Sequence, residues 1–289
     1  MSDVILAQPG AARARALIVP REHGAWGLLL VPLFTGIAVG VSSAEAIPPL
    51  ILLTVVSLAL FCLRTPVESL LGTNVMRAQS SAERQAALIA FTVLAGIAAA
   101  CLAGLFWNGR NQRLLLLGAL AFVALFAQML LNKLGRRTRM AAQLAGAVGL
   151  TCTAPAAYYV ATGRLDERAL ILWAANWIFA AGQIHFVQLR IHSARAADFT
   201  GKFARGSSFF IFQTLLFAAL VSLPILYLAR HSANQIPAWT IIAFLPSLVR
   251  AMQWFFAGYQ PLNVRSLGWS EMRQGILFGI LLAIVFRIS

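Results

Sequence analysis

The side chains able to do chemistry in this chain lie inside or at the ends of long apolar runs. His23 opens the first run, Gln128 and Asn132 close the fourth, and Gln143 begins the fifth. Gln183, His185 and Gln188 fall toward the end of the sixth, Gln213 near the start of the seventh, and Arg250 and Gln253 in the second half of the eighth. An amide or ionisable group inside a bilayer is costly, so each is a site hypothesis by default. Because successive spans alternate in direction, these positions share one half of the membrane, and Asn176 sits near the midplane. Helix ends that merely meet water would supply polar groups equally at both faces. The bias points to a wet cavity lined by amide and basic groups and walled by Trp26, Trp173, Trp177 and Trp254, suited to an anionic head on an apolar tail.

The signs of the charges narrow the chemistry. Arg21, Arg64, Arg77, Arg136, Arg137, Arg190 and Lys202 stand at the same side of the runs, where guanidinium and ammonium groups can hold phosphate or carboxylate oxygens. The acidic residues there, among them Glu22, Glu68, Glu83, Asp198 and Glu271, are widely separated. No DxxD or DxxxD pair is available to cage Mg²⁺, so no metal is assigned. Glu68 and His185 are the candidate general bases. His185 and His192 share a helical face seven residues apart, but axial haem ligation usually draws on opposing helices, and metal or haem ligation is set aside. GxSxG, HExxH, GxGxxG and P-loop patterns are absent, which removes support for hydrolase, zincin and nucleotide readings. Cys62, Cys101 and Cys152 lie in or beside apolar runs without CxxC spacing and read as packing residues.

The elements that must position these groups follow from composition. Of 289 residues, 60% are hydrophobic and 11% charged, with a mean hydropathy of +0.79, which excludes a single water-soluble globule. Apolar runs place helices at about 24–42, 47–63, 86–107, 114–132, 141–162, 169–189, 209–229, 238–257 and 274–287. The expected protein is all-α: a cytoplasmic tail over 1–20, then one transmembrane domain of about nine helices over 21–289. The first residues lack a long apolar stretch before the arginines, which argues against a cleaved signal peptide. A net charge of +14 would suggest nucleic acid in a soluble protein, but here the bases sit in short loops, where they set topology and meet lipid headgroups. Sixteen lysines and arginines fall on one side of the spans and six on the other (Arg110, Arg113, Arg164, Arg168, Arg230, Arg287), which puts the N-terminus in the cytoplasm. Connections on the basic side after helices 2, 6 and 8 are expected to be long, at 64–85, 190–208 and 258–273. Pro155, Pro224 and Pro246 are candidate helix breaks.

The segment Pro20-Arg21-Glu22-His23-Gly24-Ala25-Trp26 resembles the signature of the YwiC-like membrane proteins. The wider chain is similar to the UbiA superfamily of intramembrane prenyltransferases. The similarity runs through RxHGAWGLLLVPLFTG in helix 1, GRRTRMAAQLAGAVG over Gly135 to Gly149, and LILWAANWIFA over Leu170 to Ala180. That resemblance implies a nine-helix bundle with its site on the cytoplasmic side, and an isoprenoid diphosphate held through Mg²⁺ by NxxxDxxxD and DxxxD motifs after helices 2 and 6. This chain carries Arg64-TPV-Glu68-SLL-Gly72 and Gln183-I-His185-FV-Gln188-L-Arg190 at those places, so Mg²⁺ is doubtful as a cofactor. FCLR and VQLR end the two helices alike and put Arg64 and Arg190 where the superfamily puts its metals.

The function expected from these readings is a UbiA-like protein of the cytoplasmic (inner) membrane that binds an isoprenoid, quinone or similar lipid with an anionic head, with prenyltransferase-like transfer as its enzymatic extension. The alternative is a non-enzymatic lipid- or cofactor-handling protein or transporter on the same scaffold. The expected partners are membrane lipid and that ligand, not nucleic acid. Arg64 and Arg190 are expected to face each other across one cavity mouth, with His23, Gln128, Gln143, Gln183 and Gln213 turned toward it.

Overall fold

The computed structural model describes residues 20, 23–72, 78–107, 109, 112–135, 138–194, 206–215, 218, 222, 240–257 and 262–288. Among them every regular element is a helix: α1 (His23–Gly40), α2 (Ile47–Leu70), α3 (Ser81–Trp107), α4 (Gln112–Lys133), α5 (Arg139–Thr151), α6 (Thr153–Thr162), α7 (Glu167–Ser193), α8 (206–215), α9 (Thr240–Phe256) and α10 (Val264–Ile288). Five stretches are long and apolar enough to cross a membrane: Ala44–Leu70, Ser81–Trp107, Arg113–Lys133, Arg139–Thr162 and Glu167–Ser193. The outward faces are also apolar. On α4 alone, Leu115, Leu116, Phe122, Val123, Phe126 and Leu130 are exposed. Contiguous exposed apolar surface of this kind is untenable in water and ordinary against lipid tails. The chain is a multi-pass membrane protein.

Contacts divide it into two units. The first, residues 1–23 and 43–111, holds α2 and α3 as an antiparallel hairpin. Leu52, near the start of α2, packs on Gly104, near the end of α3, where an added methyl group would lie 3.1 Å from the leucine. Leu50, Leu53, Val56 and Ala59 of α2 and Ala87, Ala98 and Leu105 of α3 are buried. α2 runs about two turns past its expected end. Arg64 and Glu68 are therefore helical rather than in a loop, and Ser69 Oγ satisfies the carbonyl of Pro66 at 2.9 Å.

The second unit, residues 24–42 and 112–289, is built on small residues where helices meet, as membrane bundles require when burial supplies no hydrophobic drive. A methyl group at Gly36 would collide with the Ala154 carbonyl and lie 2.8 Å from Ala157 Cβ, and one at Gly40 would lie 2.8 Å from Ala161 Cβ, so α1 and α6 are in backbone contact. Gly149 brings α5 against Ala121 and Ala124 of α4. Gly275 and Gly279 bring α10 against Val31 and Thr35 of α1. These contacts, with Arg287 Nε donating to Ala38 O at 2.8 Å and Nη2 to Val41 O, make α1 and α10 parallel. α7 runs against both: Asn176 Nδ2 donates to Thr35 Oγ1 at 3.2 Å, and Arg168 Nη2 to Phe286 O at 3.0 Å.

The expected fifth span is two helices. Pro155 has no N–H for the carbonyl of Thr151, four residues back, and its ring crowds that carbonyl, so the chain breaks at Cys152. Pro246 leaves α9 continuous, and Pro224 lies outside the described residues. The long connection expected over 258–273 is a correction. Asn263 Oδ1 accepts from Ser266 N at 3.1 Å in N-cap geometry, and the helix begins at Val264, so Arg265, Glu271 and Arg273 are helical.

Candidate functional site

The deepest charge in the second unit is a pair that the sequence left in separate regions. Arg250 comes from the second half of α9 and Glu271 from the second turn of α10. Their antiparallel packing brings Nη1 to Oε1 at 2.6 Å and Nη2 to Oε2 at 3.0 Å, with side chains 18% and 12% exposed. Two parallel N–H···O bonds are the strongest geometry open to these groups, and in a bilayer an unmatched charge here would cost far more than an exposed one. Ser270 Oγ accepts from the same Nη1 at 3.0 Å, and Gln183 Nε2 donates to the Glu271 backbone carbonyl at 3.0 Å. Arg250 Nε is buried without a hydrogen-bond partner, as is Gln274 Oε1, one turn beyond Glu271.

A second guanidinium stands beside this pair. Arg190, at the end of α7, lies 5.2 Å from the ring centre of Trp254, while Arg250 lies 4.5 Å from that of Phe186. The two rings meet edge to face at 5.5 Å, so adjoining aromatic faces each carry one cation. Arg190 feels both Glu271 and Arg250 electrostatically. Two cations and one carboxylate leave one positive charge among the described groups of this cluster.

Beside these residues runs a narrow cleft with a cavity volume of about 20 Å³, which a ligand larger than a water molecule has to widen. Its polar lining is Gln183, Gln213, Ser247 and Arg250, and its apolar lining includes Phe186 and Phe209. Phe179 and Phe244 close its depth, with Phe179 stacked on Phe278 at 3.9 Å. The cleft can present N–H donors and a guanidinium edge to an oxyanion, above an aromatic floor that suits hydrocarbon.

The residues expected at the site fall into three groups. Gln183 and Gln213 line the cleft together, and Arg190 stands beside it. Others are placed elsewhere in the second unit. Gln143 Oε1 accepts from Gln188 Nε2 at 3.0 Å, tying α5 to α7. Gln128 packs on Gly146, and Asn132 is exposed. The His185 ring lies between Phe209 and Phe212, at 5.1 and 5.7 Å. Of the expected tryptophan walls, Trp254 is beside the cleft, while Trp173 and Trp177 donate to Thr151 Oγ1 and Leu144 O on α5. Arg64 and Glu68 belong to the first unit, where Arg64 Nε donates to Glu68 Oε1 at 2.7 Å one turn along. Arg21, Arg77, Arg136, Arg137, Asp198 and Lys202 lie outside the described residues, as does the side chain of His23. The sequence marks Arg250 as a charge inside an apolar run without giving it a role, and Glu271 is not marked as a site residue. The available signal was a lone arginine deep in an apolar run, which has to find an acid.

These residues do not fit the magnesium ion that a UbiA-like site would hold. The carboxylate at the first motif position is engaged by Arg64, and the second position offers Gln183, bonded to a carbonyl, and His185, packed between phenyl rings. Among the described residues no three His, Cys, Asp or Glu side chains come together.

Compared with known families, residues 19–158 match the family described as YwiC-like protein. No curated protein and no solved structure matches the chain. The matched stretch ends at Tyr158, so the cleft, lined by α7, α8 and α9, lies wholly beyond it.

Proposed function

We propose, taking the YwiC-like character of residues 19–158 as premise, that this membrane protein binds an amphiphile with an anionic head in the cleft of its second unit, an isoprenoid, quinone or similar lipid. One observation carries this reading: Arg190 stands beside the Arg250–Glu271 pair with no second acid among the described residues, near a cleft lined by aromatic rings. A partly buried cation that shares its one described acid with a second cation is a natural place for an exchangeable anion. The sequence resemblance to the UbiA superfamily supports the lipid class.

The reading is one of binding, with no transfer step assigned. Of the two candidate bases, Glu68 is paired with Arg64, and His185 lies against Phe209 and Phe212. The basic-residue count supports an inner-membrane location with the cleft opening toward the cytoplasm.

The test is mass spectrometry of lipids extracted from the full chain purified in mild detergent, beside an Arg190→Ala variant purified identically. The expected result is an isoprenoid or quinone-type amphiphile enriched with the unaltered protein and depleted from the variant. The same bulk phospholipids in both would overturn the reading.

A further inference from the structure

We infer that the cleft selects a head group carrying a single negative charge, which completes a set of two cations and two anions with Arg190, Arg250 and Glu271. The inference rests on the reading above and adds the charge of the ligand.

The argument is one of neutrality where water is scarce. Glu271 answers Arg250 through both Nη atoms and is held by the Gln183 bond to its own carbonyl, so it is fixed rather than exchangeable. Arg250 lines the cleft and keeps a buried Nε without an acceptor, a donor that an oxyanion could satisfy once the surrounding side chains part, with Glu271 still in place. Arg190, stacked on Trp254, supplies the second cation. One added negative charge balances the cluster. A diphosphate, carrying about three charges, would leave about two unmatched, and uncompensated charge in low dielectric is what such sites avoid. A metal would normally cover that excess, and the described residues do not fit one. A neutral head would leave Arg190 uncompensated. A carboxylate or a phosphodiester meets the requirement, whether it ends a lipid or is free in solution, and the aromatic depth of the cleft favours one with a tail.

The experiment uses the full chain in detergent, reading the ligand-dependent rise in unfolding midpoint as an apparent affinity. The probes are oleate, acetate, oleyl alcohol and farnesyl diphosphate. Oleate should bind at least about tenfold tighter than the other three, the scale of one partly screened charge interaction. Arg190→Gln brings the cluster to neutrality with the buried pair intact, and should lose oleate binding by about tenfold. Glu271→Gln raises the cluster charge and should shift preference toward farnesyl diphosphate. The double variant Arg190→Gln with Glu271→Gln returns to one positive charge and should regain oleate. Should Glu271→Gln fail to fold, Arg190→Gln alone decides, because it leaves the pair in place. Acetate binding as tightly as oleate would show a free-anion site and overturn the amphiphile reading. If no probe binds the unaltered protein, that reading falls and the inference with it. If oleate binds but the diphosphate binds equally well, or Arg190→Gln changes nothing, the charge rule is wrong while the cleft reading stands.

Discussion

Arg250 and Glu271 lie on adjacent antiparallel helices, and the guanidinium of one donates to both carboxylate oxygens of the other, at 2.6 and 3.0 Å. Removing one partner leaves the other charged and buried. Arg250→Leu or Glu271→Leu should each destabilise the protein by about 3–5 kcal/mol, whereas replacing both with Leu should recover much of that loss. Unfolding midpoints of the purified variants are the measure. Additive losses in the double variant would show that the two residues do not act as a pair.

Close helix approach makes a second prediction. Gly36→Leu has to push α1 away from Ala154 and Ala157 and should cost about 1–3 kcal/mol or more, while Gly24→Ala, with nothing within 4 Å, should be close to neutral. Comparable losses at both positions would mean that the α1–α6 contact is not what holds α1.

α1 and α10 run parallel, so an odd number of crossings lies between them and the two ends of the bundle lie on opposite sides of the membrane. With the basic count setting the direction, reporters fused at residue 1 should read as cytoplasmic, and those at residues 110, 235 and 289 as external. A cytoplasmic reading at 289 would contradict the parallel pair itself, and inverted readings throughout would overturn only the direction.

Removal of divalent metal should leave amphiphile binding unchanged, because the groups at the cleft are guanidiniums, amides and one paired carboxylate. Binding that disappears in EDTA and returns with Mg²⁺ alone would show that carboxylates outside the described residues complete a metal site.

The pair Arg64–Glu68, 22% and 19% exposed, differs from Arg250–Glu271 chiefly in joining neighbouring turns of one helix. Glu68→Gln keeps a hydrogen-bond acceptor for Arg64 one turn away and should lower the unfolding midpoint less than Glu271→Gln, which strips a two-bond pair joining two helices. It should also leave oleate binding intact. A large loss of binding would restore Glu68 as a site residue.

Much of this protein was legible in its residues, for a reason peculiar to the bilayer. A backbone surrounded by hydrocarbon must satisfy its own hydrogen bonds, so every long apolar run becomes a helix, and a described helix stands at each place where such a run was read. The same rule marked the amide positions, and two of them, Gln183 and Gln213, meet at the cleft. Ends of elements were less legible: α10 begins ten residues before its expected start because Asn263 caps it locally, and such a cap carries no hydropathy signal. What only the tertiary structure decided was which charges find each other. Arg64 had an acid one turn away and took it, a local fact written in the spacing. Arg250 and Glu271 are 21 residues apart, and nothing along the chain links them until α9 folds back along α10 and places both in the same poorly solvated layer. Low dielectric then makes their pairing the favoured arrangement and leaves Arg190 beside them, sharing Glu271 as the one acid among the described residues of the cluster.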